Sequence, residues 1–300
     1  MKPLTLGAYE SFYVGGEERE ITGAFGPEQQ VVGAMYVQRM SPVERHRLPV
    51  VLVHGGMHSG VTWETTPDGR EGWQTLLVRA GFDTYVIDQA FRGRSAPDLN
   101  GLNPAVAGYA PTGPVFTCGS NLARQFERGG GRFDFAWLRA YLPQLWPDFF
   151  VPQAIAAGEP GRSDPRALGP LCDLVDRIDP CVLVTHSQGG HLGWQAARAR
   201  PDKVAAIYAV EPATLSGLES PDFPDIPVHI LWGDGLTPDA RTLSTRDLAE
   251  ARDLAATRRQ LTVEHLPESG IRGNGHMLMM EENSGELAER LSAWIARVSG

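Results

Sequence analysis

The chain has 300 residues and a formal net charge of −9, and 42% of its residues are hydrophobic, with Leu, Val and Ile recurring in blocks. This composition excludes a disordered chain, and the length suffices to bury most of the apolar surface in one elaborated domain or in two. The negative charge argues against nucleic acid and anionic membranes as partners, and no apolar run reaches the roughly 18 residues that a membrane span needs.

The first residues and the cysteines bear on the cellular location. Residues 1–7 contain one lysine with no long apolar stretch behind it, which does not fit a signal peptide. Cys118, Cys172 and Cys181 are an odd number without a Cys-x-x-Cys pair, which argues against a disulfide framework or a zinc knuckle. We therefore expect reduced thiols in a cytoplasmic protein. We expect neither metal nor cofactor, because no cluster of His, Asp, Glu or Cys has the spacing of metal ligands.

Short apolar runs alternate with helix-like stretches along the chain. Two opening runs, residues 7–14 and 33–38, are predicted to form an antiparallel edge of a sheet. Further strands are predicted at 48–54, 84–88, 181–185, 205–210, 227–232 and 261–266, and helices at 73–80, 190–200, 245–258 and 285–297. Because strands alternate with helices, the pattern predicts an α/β protein with a mostly parallel central sheet and helices on both faces.

One interval interrupts this alternation. The stretch between Asp88 and Cys181 is far longer than the dozen or so residues that a crossover between parallel strands needs. Residues 100–170 are therefore predicted to form an insertion between the fourth and fifth predicted strands. Residues 1–99 and 171–300 are predicted to form the core.

The middle of this insertion is rich in aromatic residues, which include Trp137 and Trp146. One interpretation is a lid whose apolar underside covers a pocket. The alternative is that the rings pack the insertion onto the core. The composition supports both equally, because a lid must also be anchored.

The sharpest local motif lies in residues 182–192, where an apolar strand leads into Ser187 and a helix follows. The motif is close to the G-x-S-x-G nucleophile elbow, with Thr185 in place of the first glycine. A sharp strand-to-helix turn would expose the serine hydroxyl at the carboxyl end of the sheet and direct a helix N-terminus at a developing oxyanion. The alternative is an ordinary N-cap serine after a buried strand.

An elbow serine needs a base and an orienting carboxylate, in the chain order serine, acid, histidine. The candidate base is His276, in a glycine-rich loop after the last predicted strand. Two candidate acids end strands at the same edge: Glu211 after the strand one beyond the elbow, and Asp234 after the strand two beyond it. Asp234 has the commoner position for this architecture, whereas Glu211 lies nearer the nucleophile. The residues alone do not decide between them.

The strand at 48–54 leads into Gly55 and Gly56, which let the backbone pass close to a substrate carbonyl. The backbone amides of Gly56 and Gln188 are the predicted donors of an oxyanion hole. The predicted lining of the substrate pocket is Met57, His186, Trp137 and Trp146.

Taken together, these motifs resemble the "novel bacterial esterase" family of α/β-hydrolases. The resemblance covers the core from about residue 50 to 95 and from 181 to 280. It is carried by residues 63–73, 86–89, 92–95, 186–188 and 210–212. It implies the α/β-hydrolase fold, and the lid insertion predicted before the nucleophile strand matches the family less specifically.

The resemblance also implies roles for individual residues. Ser187, Glu211 and His276 become nucleophile, acid and base, with Asp234 as the substitute acid, and Gly56 and Gln188 become the oxyanion donors. The chain departs from the best-known branch of the family, which is exported and has two adjacent cysteines where this chain has Gly56 and Met57.

We therefore expect a serine carboxylic-ester hydrolase that forms an acyl-enzyme with a hydrophobic aryl or alkyl ester. One alternative is a lactonase, or cleavage of an amide, C–O or C–C bond by the same triad. An alternative of another class is a non-catalytic ligand-binding protein on a hydrolase fold. The expected partner is a small-molecule ester or lactone, and a homodimer through the edge strand or the aromatic insertion is left open.

Overall fold

The computed structural model describes residues 3–23, 26–46, 48–95, 150–238 and 243–299. Ten strands lie in this part of the chain. They are β1 (Ala8–Val14), β2 (Glu17–Gly23), β3 (Gly26–Val32), β4 (Met35–Ser41), β5 (Val50–Val53), β6 (Thr84–Asp88), β7 (Cys181–His186), β8 (Val204–Val210), β9 (Val228–Trp232) and β10 (Leu261–His265). The α-helices of the same residues are α1 (Val61–Glu64), α2 (Trp73–Arg79), α3 (Phe150–Ala156), α4 (Leu168–Arg177), α5 (Gln188–Ala199), α6 (Thr245–Thr257) and α7 (Ser284–Val298).

Eight strands form one sheet in the order β1-β4-β6-β5-β7-β8-β9-β10. From β6 to β10 all neighbours are parallel, whereas β4 runs antiparallel to β6 and β1 antiparallel to β4. The predicted mostly parallel sheet with an antiparallel edge is therefore confirmed. The parallel strands bring their carboxyl ends to one edge of the sheet, which is the edge where the candidate site lies.

The apolar runs form strands because helices cover both faces of the sheet. Alternate residues along a strand point to opposite faces. In β5, Val51 and Val53 enter one buried cluster with residues of α4, α5 and α6. Val50 and Leu52 enter a second cluster with residues of α2 and α7. All four residues are buried, which explains the unbroken apolar run in the sequence.

The fold differs from the sequence prediction in several places, which include the short helices α1 and α3 that were not predicted. Strands β2 and β3 form a separate antiparallel two-stranded sheet that was not predicted, because the seven residues of β2 include three glutamates and no apolar run. Helix α4 begins at Leu168, within the last residues assigned to the insertion, and buries Leu171 and Leu174 in the core. Most of 100–170, with Trp137, Trp146 and Cys118, lies outside the described residues, so the lid stays a prediction.

Two further observations concern the expected environment of the protein. Cys172 and Cys181 are free and buried, and burial raises the pKa of the Cys181 thiol to about 12. None of the helices in the described residues is both long enough and apolar enough to cross a membrane.

Candidate active site

Ser187 lies on a sharp turn between β7 and α5. Its backbone angles, φ 53° and ψ −122°, are rare for a residue with a side chain and cost on the order of 1–3 kcal/mol. The turn is held from the neighbouring strand end: the Ser187 N–H donates to the Val210 carbonyl at 3.0 Å, and the Ser187 carbonyl accepts from the Ala213 N–H at 3.0 Å. The turn therefore has the backbone conformation expected of a nucleophile elbow.

Two glycines permit this turn to pack against the loop that follows β5. A Cβ atom on Gly55 would lie 2.9 Å from the Cβ of Ser187. A Cβ atom on Gly189 would lie 2.6 Å from the carbonyl oxygen of His54. Both distances are too short for real side chains, so the close approach of the two segments depends on glycine at these positions.

His276 and Glu211 form a buried pair at the same edge of the sheet. His276 Nδ1 lies 3.0 Å from Glu211 Oε2, and the side chains are only 7% and 1% exposed. The other carboxylate oxygen of Glu211 accepts a hydrogen bond from the Gly233 N–H at 2.6 Å. Because an ionised carboxylate only accepts hydrogen bonds, Nδ1 carries the ring proton and Nε2 keeps its lone pair. An imidazole in this tautomer can remove a proton from an alcohol.

Asp234, the other candidate acid, contacts the backbone of the histidine loop instead of the imidazole. Its Oδ2 accepts from the Asn274 N–H at 3.0 Å, and its own N–H donates to the Asn274 carbonyl at 2.8 Å. Of the two acids that the residues alone left open, the structure brings Glu211 to His276. Asp234 holds the loop two residues before His276.

The histidine loop is tied to the strand that carries Ser187. The carbonyl of His276 accepts from His186 Nε2 at 3.0 Å, and the centroids of the two rings are 4.5 Å apart. Ser187 and His276 therefore lie at the same edge of the sheet. Within the described residues, no hydrogen bond joins the Ser187 hydroxyl to the imidazole. Catalytic hydrogen bonds are often long without substrate and shorten in its presence.

A further carboxyl group lies behind this loop. Glu281 is 2% exposed and accepts a hydrogen bond from the Gly275 N–H at 2.9 Å. Burial raises the pKa of Glu281 to about 7, and the nearby charges of Glu282 and Asp234 act in the same direction. The sequence analysis did not single out this residue, because it lies after the loop motif and its acceptor role depends on the path of the backbone.

The predicted oxyanion donors are the backbone N–H groups of Gly56 and Gln188. Neither donates a hydrogen bond to another of the described residues. Gln188 is the first residue of α5, where N–H groups have no partner within the helix. N–H groups of this kind can donate to a carbonyl oxygen or to an oxyanion.

Two histidines beside the site, His58 and His186, are kept neutral by burial. Burial lowers the pKa of His58 to about 3 and holds the pKa of His186 well below its ordinary value. His58 Nδ1 donates to the Gly56 carbonyl at 2.6 Å. These rings therefore act as hydrogen-bond donors that fix backbone carbonyls. In the described part of the chain, no group of three or more His, Cys, Asp or Glu residues is placed to hold a metal ion.

The four predicted pocket residues have different positions. Met57 has a φ of 62° and is partly buried against the core cluster that contains α2 and α7. His186 is fully buried and faces the histidine loop. Trp137 and Trp146 lie outside the described residues. Contact of these residues with substrate stays a prediction.

Arg92 is a further functional candidate; it lies in the 92–95 motif, to which the sequence alone assigns no role. Its guanidinium is buried between the loop after β5 and the start of α5. Arg92 Nη1 donates to the Gly55 carbonyl at 3.1 Å, and Nη2 donates to Gln188 Oε1 at 3.0 Å. These two partners are a backbone carbonyl and an amide side chain, so no spacing in the sequence points to these contacts.

Comparisons with known proteins agree with this architecture. No protein-family model matches the chain. A curated fungal relative, named "Probable secreted lipase phiG", is 26% identical over 349 residues of alignment, which covers 95% of this chain and 89% of the relative. That relative is named as secreted, and the cytoplasmic location expected for this chain stays a prediction.

A solved structure described as a novel bacterial esterase has a TM-score of 0.85 and 29% sequence identity, and the match covers 100% of this chain and 98% of that one. This similarity indicates that the two chains share the same overall fold. The chain therefore has the α/β-hydrolase fold and resembles the novel bacterial esterase over its whole length.

Proposed function

We propose that the chain is a serine carboxylic-ester hydrolase. The observation that carries the proposal is the strained Ser187 turn at the same sheet edge as the buried His276–Glu211 pair. An N-cap serine does not require the rare backbone conformation of Ser187, whereas an elbow nucleophile does. The similarity to one protein named as an esterase and another named as a lipase supports the same class of reaction.

In the proposed mechanism, Ser187 Oγ attacks the ester carbonyl while His276 Nε2 takes the hydroxyl proton. The oxygen of the tetrahedral intermediate accepts hydrogen bonds from the N–H groups of Gly56 and Gln188. His276 then delivers the proton to the departing alkoxide, which leaves an acyl group on Ser187. Water, deprotonated by the same imidazole, releases the acid and restores the serine.

Glu211 and the backbone amides supply the electrostatic part of this mechanism. The Glu211 carboxylate keeps the proton on His276 Nδ1 and stabilises the imidazolium that forms during each proton transfer. Each oxyanion donor contributes a factor of about 10²–10³ to kcat. Since both N–H groups are fixed by the backbone, they need no reorganisation when charge develops on the substrate oxygen.

The proposed substrate is an ester with a hydrophobic aryl or alkyl part. The support is the aromatic composition of residues 100–170, which we propose to form a lid over the pocket. Such a substrate would place its apolar group under the lid and its carbonyl at the edge of the sheet.

The test uses purified wild-type protein and the variant Ser187→Ala with a short-chain p-nitrophenyl ester. We expect the wild type to turn over and kcat of the variant to fall by a factor of about 10⁶, while circular dichroism and Tm stay unchanged. Ser216→Ala, an exposed serine in the loop after β8, is the matched control and keeps full activity. Full activity in Ser187→Ala would exclude the mechanism, and an inactive wild type would favour a ligand-binding protein.

A further inference from the structure

We propose that Arg92 is a positioning residue that fixes both donors of the oxyanion hole, an inference that rests on the proposed function. Arg92 is only 5% exposed, although arginine is rarely buried. One terminal nitrogen of its guanidinium donates a hydrogen bond to the loop after β5, and the other donates to the first residue of α5. One guanidinium therefore joins the two chain segments that supply the donors.

The first contact acts through the peptide bond between Gly55 and Gly56. The Gly55 carbonyl and the Gly56 N–H belong to one planar trans peptide, so they point in opposite directions. The carbonyl accepts from Arg92 Nη1 at 3.1 Å and from His54 Nδ1 at 2.8 Å. With two buried donors on its oxygen, this peptide plane cannot rotate freely, and the direction of the Gly56 N–H is fixed.

The same contact strengthens the donor. A hydrogen bond from a charged group to a carbonyl polarises the peptide and increases the positive charge on its N–H. The positive charge of Arg92 also favours a negative charge that forms on the opposite side of this peptide. Both effects are larger in the transition state, where the substrate oxygen carries charge, than in the bound ester.

The second contact holds Gln188 from its side chain. Gln188 Oε1 accepts from Arg92 Nη2 at 3.0 Å, and Gln188 Nε2 donates to the Arg162 carbonyl at 2.8 Å. Both ends of the amide are therefore occupied, which fixes the first residue of α5 directly after Ser187. This side chain is not free to bond to its own backbone N–H, which stays directed at the site.

Arg92 itself is held in place by the turn after β6. Its N–H donates to the Gln89 carbonyl at 3.0 Å, and its carbonyl accepts from the Ser95 N–H at 2.9 Å. Gln89 is bound in turn to His54, through Nε2 to the His54 carbonyl at 2.6 Å. The guanidinium is thus pre-positioned before substrate binds, as electrostatic stabilisation requires.

The experiment compares wild type, Arg92→Met, Arg92→Lys and a control, Arg39→Met. Arg39 donates two hydrogen bonds to the buried Asp83, at the edge where the parallel strands begin, far from Ser187. The measurements are kcat and KM for a p-nitrophenyl ester, the inhibition constant of an arylboronic acid, which forms a tetrahedral adduct with a serine hydroxyl, and Tm.

We expect Arg92→Met to lower kcat by about 10- to 100-fold with KM unchanged within about threefold, because the interaction matters only when the oxyanion forms. Boronic acid affinity falls by the same factor. Arg92→Lys retains the charge with fewer donors and shows an intermediate loss. Arg39→Met lowers Tm and leaves kcat and boronic acid affinity unchanged.

The inference is overturned if wild type turns over the ester through Ser187 and every Arg92 variant that folds keeps kcat and boronic acid affinity within twofold. It is also overturned if kcat falls in the folded variants while boronic acid affinity stays constant, because the loss would then not come from the oxyanion hole. Arg92→Lys keeps the test decisive if Arg92→Met does not fold. An inactive wild type would overturn the proposed function and this inference together.

Discussion

Replacing Glu211 by glutamine tests the assignment of the acid at the level of single atoms. The carboxylate of Glu211 accepts at both oxygens, from the Gly233 N–H at 2.6 Å and from His276 Nδ1 at 3.0 Å. A glutamine has only one side-chain oxygen. If that oxygen stays on the Gly233 N–H, the amide NH₂ faces His276 and forces Nδ1 to accept. The ring proton then moves to Nε2, and the imidazole cannot act as a base toward Ser187.

The size of the effect follows from the loss of the correct tautomer. A comparable Asp-to-Asn change in a serine protease triad lowers kcat about 10⁴-fold, and we expect a loss of about 10³- to 10⁴-fold for Glu211→Gln. This corresponds to roughly 4–5.5 kcal/mol of transition-state stabilisation. Asp234→Asn keeps an oxygen that accepts from the Asn274 N–H, so we expect less than about a tenfold loss.

The assay is steady-state hydrolysis of a p-nitrophenyl ester from pH 6 to 9, with Tm as the control for folding. Raising the pH should restore part of the activity of Glu211→Gln, because hydroxide can replace the missing base. The reasoning is refuted if Asp234→Asn loses more activity than Glu211→Gln, or if Glu211→Gln keeps activity within tenfold of wild type.

The remaining predictions concern stability and packing. The pKa of Glu281 is about 7 in the folded protein and 4.5 ordinarily, so ionisation of this carboxyl lowers the free energy of unfolding as the pH rises from 4.5 to 7. Urea denaturation should therefore show that Glu281→Gln is more stable than wild type by on the order of 3 kcal/mol at pH 8, and equally stable at pH 4. His58 and His186 have lowered pKa values, so the unfolded chain binds their protons first. As the pH falls below about 6.5, each should lower the free energy of unfolding by about 1.4 kcal/mol per pH unit, and for His58 this continues to about pH 3. An opposite slope for wild type relative to His58→Asn would contradict this. Gly55→Ala should lower kcat at least about 100-fold and reduce Tm, because the new Cβ would lie only 2.9 Å from the Cβ of Ser187. Wild-type kinetics in this variant would refute the close packing of the two segments.

The parts of the fold that the sequence predicts are those set by local pattern. The strands buried on both faces are apolar runs, and their positions along the chain are confirmed, as are the four predicted helices that correspond to α2, α5, α6 and α7. The hairpin of β2 and β3 was missed because it packs as a separate, largely polar ribbon, in which no apolar run marks the strands.

In the candidate site, too, some residues can be predicted from the local sequence pattern and others cannot. The position of Ser187 follows from a strand that ends in small residues, and the structure shows the strained turn that this motif predicts. The choice between Glu211 and Asp234 could not be made from the sequence, because it depends on the path of the histidine loop. In the structure, the Asn274 N–H donates to Asp234, and the His276 imidazole contacts Glu211 instead. The contacts of Arg92 depend on a peptide orientation and leave no trace in residue spacing.

Covalent labelling with a fluorinated or p-nitrophenyl organophosphonate tests the central claim most directly. Such a reagent reacts only with a serine whose hydroxyl is activated and whose oxyanion donors are in place. The account predicts one phosphonyl group per wild-type chain, located by mass spectrometry on the peptide that contains Ser187, and little or no label on Ser187→Ala or His276→Ala. Stoichiometric label on Ser187→Ala, or none on the wild type, would contradict it.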